Sequence, residues 1–135
     1  MATQPFKWSE YQRVASELST HADECYLRTS ISRAYYYVFH LGRQRVLDNR
    51  FILLRSDAHK QVWEKFSASP DFRCRKLAET AKRLKEKRER ADYEPFFPLI
   101  IKDAPAMVTL AAQFATDLAA LDSALPRNTG VQRSS

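Results

Sequence analysis

Apolar residues recur along most of the chain at the three-and-four spacing of an amphipathic helix, and nowhere at the alternation of a half-buried strand. The first such stretch opens at Ser9 with Gln12 three residues on, a capping-box pattern, and sets Trp8, Tyr11, Val14 or Ala15, Leu18 and Ala22 on one stripe. The second runs from about Tyr26 to Asp48 through Leu27, Ile31, Ala34, Tyr35, Val38, Leu41 and Val46, long enough to be the central helix. After a linker containing Asn49 and Arg50, a shorter helix capped at Ser56 or Asp57 carries Val62, Trp63 and Phe66. It ends before Pro70, because the residue preceding a proline is pushed out of the helical region.

The fourth stretch, from about Asp71 to Ala91, stacks Cys74, Leu77, Ala78, Ala81 and Leu84 on one face and Arg73, Lys76, Arg83, Lys87 and Arg90 on the other. The two prolines of EPFFPLI force a turn or an extended segment after Tyr93. Asp103 then caps a fifth helix with Pro105 in its first turn and an apolar stripe from Met107 through Leu110, Ala111, Phe114, Leu118 and Leu121 to Leu125. The expected fold is all-α, an antiparallel up-and-down bundle of about five helices in one domain over residues 1–125, with a disordered tail over 126–135.

A length of 135 residues with 44% hydrophobic positions fits one domain, and two glycines leave no loop of the Gly-rich kind that cradles phosphate. No apolar run approaches the length of a membrane span and the N-terminus lacks a signal core, so a cytoplasmic protein with no membrane contact is expected. Cys25 and Cys74 read as small buried hydrophobes kept reduced. The three histidines come from three different elements with no carboxylate at metal-ligand spacing, so neither a metal nor another cofactor is expected.

Charge changes the picture more. The net charge is +6, and the segment Arg73–Arg90 holds nine basic and three acidic residues while the rest of the chain is balanced. That concentration suits a polyanion as well as a solvated helix face, and it makes Lys76, Arg83, Lys87 and Arg90 candidate RNA contacts.

Among the histidines, His21 sits where an imidazolium meets the negative end of the first helix, and His59 lies in the first turn of the third. His40 follows Arg33 by seven residues, about two turns, so the two share one side of the second helix with Tyr36 or Tyr37. An imidazole moving a proton beside a guanidinium that stabilises charge is what phosphodiester cleavage requires, and the same residues also read as the polar edge of a core helix. Arg88 continues the apolar stripe of the fourth helix and therefore points inward or into a subunit interface. With Asp92 and Tyr93 beside it, this is either a helix-terminating ion pair or a preorganised anion site.

The segments SRAYYYVFH (residues 32–40), DAHKQVWEKF (57–66) and RERADYEP (88–95), in this order and spacing, resemble the HEPN domain, in particular its small stand-alone prokaryotic branch. The resemblance covers about residues 9–125. It implies a dimeric helical bundle and, in many members, metal-independent cleavage of RNA in toxin–antitoxin or phage-defence systems, often beside a minimal nucleotidyltransferase partner. It carries Arg88, Asp92 and Tyr93 over as a dimer-cleft constellation, with Tyr93 a candidate for nucleotidyl modification. The ribonuclease signature pairs an arginine with a histidine on the helix that here ends in RERADY. In this chain Ala91 stands before Asp92, and Lys82–Ile101 contains no histidine. The expected function is RNA binding, with ribonuclease activity through His40 or His59. The alternative is a non-catalytic helical partner of a nucleotidyltransferase or another protein.

Overall fold

A computed structural model describes residues 4–128, and among them the chain forms five helices and no strand: α1 (Ser9–Leu18), α2 (Glu24–Asp48), α3 (Ala58–Ser67), α4 (Phe72–Tyr93) and α5 (Ile100–Ala120). The all-α bundle is built around α2, which packs against each of the other four helices. Leu27, Ile31, Ala34, Tyr35, Val38 and Val46 of α2 are all buried. The core stripe of α4 runs Cys74, Leu77, Ala78, Ala81, Leu84, Arg88 and Ala91, with the arginine inward as its spacing predicts.

Two arginines of α2 fix the far ends of its neighbours. The last carbonyls of a helix have no intrahelical donor, and a cation placed there both satisfies them and meets the negative end of the dipole. Arg28 donates to the Ala91 carbonyl at 2.9 Å and to the Glu94 carbonyl at 2.6 Å, closing α4. Arg45 donates to the carbonyls of Leu118, Asp122 and Leu125 at 2.9, 3.1 and 3.0 Å, closing α5. At the other end of α4, Asp71 is the N-cap, its carboxylate accepting from the Arg73 backbone N–H at 2.9 Å.

The segment between α2 and α3 runs back alongside α2. Phe51 is buried, and His59 at the start of α3 sits against Tyr35 rather than beside the helix end at Asp48. That return covers roughly 20 Å of helix.

Several local expectations give way to tertiary contacts. The N-cap of α1 is Trp8, without a side-chain cap, because Gln12 donates to the Val108 carbonyl at 3.0 Å instead of reaching back. Helix α5 begins at Ile100, so Asp103 is no cap. It is buried in the first turn and accepts from Lys87 Nζ at 2.9 Å, and Pro105 falls in the second turn. Helix α1 ends at Leu18, which leaves Ala22 and His21 exposed beyond it. His21 Nδ1 accepts from the Asp23 N–H at 3.2 Å and its ring lies on Tyr26 rather than ending the helix. Cys25 is exposed where burial was expected, whereas Cys74 is buried. Pro126 is buried and Asn128 donates to the Arg50 carbonyl at 2.8 Å, so the packed body continues past 125. Residues 129–135 of the expected tail lie outside those described.

Gly42 marks the tightest helix contact. A Cβ there would stand 2.6 and 2.7 Å from two ring atoms of Trp63, a ring packed on Phe66 and Phe114 and tied to the Tyr35 hydroxyl. Alanine favours a helix over glycine by about 1 kcal/mol, but overpacking a rigid site costs about 1–3 kcal/mol. Gly42→Ala is therefore expected to destabilise the protein by about 1 kcal/mol or more, read as a lower Tm in thermal unfolding.

Candidate functional site

Three helices deliver side chains to one cluster. From α2 come Ser32, Tyr35, Tyr36 and Phe39, from α3 His59 and Trp63, and from α4 Arg88 and Asp92. Their order along α2 and α4 is opposed, with Arg28 at the α4 terminus, Ser32 at Asp92 and Tyr35 at Arg88, as antiparallel helices require.

A hydrogen-bond chain fixes the proton positions. The Trp63 indole N–H, which can only donate, donates to the Tyr35 hydroxyl at 3.1 Å, and that hydroxyl lies 2.7 Å from His59 Nδ1. Tyr35 is fully buried and, among the described residues, its hydroxyl proton has no acceptor other than Nδ1, so the arrangement that satisfies both groups has Tyr35 donating to Nδ1 and neutral His59 carrying its own proton on Nε2. Burial pushes the His59 pKa below the ordinary 6.5, Arg88 and Lys85 push it further, and Glu89 opposes them. Burial likewise pushes Tyr35 up to about 12. At neutral pH His59 is thus an uncharged N–H donor, stacked on Phe39 at 3.9 Å.

Arg88 is the other fixed group. It is 7% exposed, its Nη1 lies 3.6 Å from Asp92 Oδ2, and its Cζ lies 5.4 Å from the ring centroids of both Tyr35 and Tyr36. Its Nε is sealed from solvent without an acceptor. Asp92 is shared, since Ser32 Oγ also donates to Oδ2 at 3.4 Å, and its side chain is 31% exposed. A guanidinium offers five N–H donors, and among the described residues Arg88 makes one long ion pair and lies over two tyrosine rings.

The remaining sequence candidates are dispersed. Arg33 borders the cluster, its Cζ 5.2 Å from the Tyr36 ring and 4.4 Å from that of Tyr11. His40 lies flat on Trp8 with centroids 3.4 Å apart, and Phe39 stands between it and His59. Burial, then Arg43, His59 and Arg33, lower its pKa to about 4. Arg33 and His40 share a helix side and both meet Tyr11, and the Arg33 charge is among those that lower the His40 pKa. Tyr93 is 77% exposed at the end of α4. Of the four candidate RNA contacts, Lys76 and Arg83 are exposed, while Lys87 is held by Asp103 at 2.9 Å and Arg90 by Glu94 at 3.2 Å. Trp63, read from the sequence as a core residue, and Ser32 were missed as site residues. The available signal was that a buried indole N–H requires an acceptor.

Among the described residues no three His, Cys, Asp or Glu side chains gather as a metal ion would need. No helix there is long and apolar enough to cross a membrane. Comparison of the chain with protein-family models, curated proteins and solved structures returns no match.

Both lowered histidines make stability pH-dependent. Between a folded pKa near 4 and an unfolded value near 6.5, His40 binds more protons in the unfolded chain, so stability rises with pH across that window. Its contribution is complete above pH 6.5 and is lost as pH falls towards 4. The Tm is expected to drop over this range. His40→Phe, which keeps the stack on Trp8, is expected to flatten the drop, measured by thermal unfolding at a series of pH values.

Proposed function

We propose that the chain is an RNA-binding helical bundle of the HEPN kind that seats one backbone phosphate of a single strand over Arg88. The observation that carries this reading is the meeting of the three segments behind the resemblance. SRAYYYVFH supplies Ser32, Tyr35, Tyr36 and Phe39, DAHKQVWEKF supplies His59 and Trp63, and RERADYEP supplies Arg88 and Asp92, all to one cluster on three helices. The chemistry suits a phosphate. Arg88 has donors to spare, His59 offers Nε2–H, Arg33 adds charge at the edge, and Tyr36 offers a ring face for a base.

The same geometry favours binding over cutting. His59 with its proton on Nε2 cannot take one there from a ribose hydroxyl, and RERADY contains no histidine. A ribonuclease role would rest on His40, half-buried against Trp8. We therefore favour an RNA-binding component of a toxin–antitoxin or defence system that leaves its RNA intact.

A specific surface favours a protein partner as well. Tyr93, Phe96, Leu99 and Ile101 are 77%, 80%, 58% and 76% exposed around the α4–α5 junction, just past Asp92. The apolar stripe of α5 is covered within the chain, with Met107, Ala111, Phe114 and Leu118 buried. A homodimer or a nucleotidyltransferase complex would use the junction instead.

Arg88→Met separates an anion site from a structural ion pair. If Arg88 serves RNA, the variant is expected to weaken binding of a fluorescein-labelled octaadenylate at least tenfold while Tm moves by only a few degrees, since an apolar replacement of a poorly partnered buried cation costs little. Unchanged binding, or a stability loss of about 3–5 kcal/mol, would make Arg88 a structural residue. In the same preparation, with a chelator present, the octaadenylate is expected to stay intact by gel electrophoresis.

A further inference from the structure

Helices α3 and α4 enclose a groove of about 730 Å³ that no part of the reading above uses. It begins where the cluster ends. Trp63, which lines the groove, is the residue whose N–H starts the chain to His59, and Lys85, on the other wall, is close enough to His59 to lower its pKa. From there one wall follows Lys60, Trp63, Glu64 and Ser67 along α3, and the other follows Lys85, Lys82 and Glu79 along α4 to Arg75. The ten residues of α3 give the groove a length of about 15 Å.

The charges in it are unevenly committed. Lys85 is bound to Glu89 at 3.2 Å, and Arg75 donates to the carbonyls of Ser69 and Pro70 at 2.9 and 2.8 Å. Lys60 and Lys82 are exposed and, among the described residues, have no carboxylate within ion-pair distance. Glu64 and Glu79 also line the groove and make no ion pair there. Two free ammonium groups, two free carboxylates and an indole in one groove are unsuited to a uniform polyanion but suited to a nucleotide strand. The lysines meet phosphates, the carboxylates repel phosphates and accept from exocyclic amino groups of bases, and the indole offers a stacking face. A duplex buries those faces and amines in its own stack, so the occupant is single-stranded.

Resting on the proposed RNA binding at Arg88, we propose that the strand continues from the cluster into the α3–α4 groove, a single-stranded RNA track with Trp63 as its stacking surface and Lys60 and Lys82 as its phosphate contacts. The track favours adenine and cytosine, whose amino groups face Glu64 and Glu79, over uracil. It also relocates RNA contact from the expected outer face of α4, where Lys76 and Arg83 stand, to the opposite flank of the same helix.

The test uses the full chain and fluorescein-labelled octaadenylate, read by anisotropy at low and moderate salt. The pair Lys60→Glu with Lys82→Glu, both exposed and thus tolerated by the fold, is expected to weaken binding at least tenfold and to flatten its salt dependence. The pair Lys76→Glu with Arg83→Glu, with the same change in net charge, is expected to bind within about threefold of the native chain. In a Trp8→Phe background Trp63 is the sole tryptophan, and octaadenylate is expected to quench its emission. Equal losses in the two pairs, or no quenching, would overturn the track. If the groove pair binds normally while Arg88→Met does not, RNA is confined to the cluster and the track is wrong though the proposed function stands. If the native chain does not bind octaadenylate at all, the proposed function fails first and the track falls with it.

Discussion

A guanidinium cannot give up its proton inside a protein, so burying one commits the structure to finding acceptors for it. Arg88 is buried on the core stripe of α4 and finds few, with Asp92 at 3.6 Å, two tyrosine faces at 5.4 Å, and nothing for Nε. Much of the surrounding design serves that residue. The aromatic run of α2 gives it ring faces that tolerate a cation without neutralising it. Arg28 ties the end of α4 to α2 through four carbonyls, which fixes the height at which Arg88 and Asp92 face Ser32 and Tyr35. A full complement of acceptors would make Arg88 a strut, and the shortage is what the proposed anion site rests on.

The second constraint is the direction of one hydrogen-bond chain. Because an indole nitrogen only donates, Trp63 decides which way the Tyr35 hydroxyl points, and Tyr35 decides which nitrogen of His59 keeps its proton. The positive neighbours that help hold His59 neutral, Arg88 and Lys85, are also the cations of the proposed phosphate site, so charge there is compatible with an imidazole kept as a donor. Trp63 presses on Gly42, lines the α3–α4 groove and orients the site at once. Its packing role and its polar role cannot be separated by simple deletion.

Helix existence and inward faces were legible in the sequence because they depend on spacing alone. The stripe Cys74, Leu77, Ala81, Leu84, Arg88 predicted a buried arginine, and it is buried. Ends were less legible, because they depend on what lies across the bundle. Gln12 left its capping box for the Val108 carbonyl, and Asp103 became the partner of Lys87 inside a helix that had already begun at Ile100. The candidate pair Arg33 and His40 was correctly placed on one helix side, and the stack of Trp8 on His40 is a contact no local periodicity encodes. His59 reaches the site only because the segment after Asp48 turns back along α2, and neither the linker at Asn49 and Arg50 nor the short α3 gave a sign of that return. The charge count between Arg73 and Arg90 was real, but position decided its use, since Lys87 and Arg90 are spent on neighbouring carboxylates.

The central claim is that a buried, under-partnered arginine receives an RNA phosphate. A sealed Nε–H exchanges slowly with water and is therefore visible by NMR in protein labelled with nitrogen-15 at arginine. Titration with octaadenylate is predicted to move the Arg88 Nε–H resonance with the first equivalent. An Arg88 resonance that does not move at saturating octaadenylate would contradict the account.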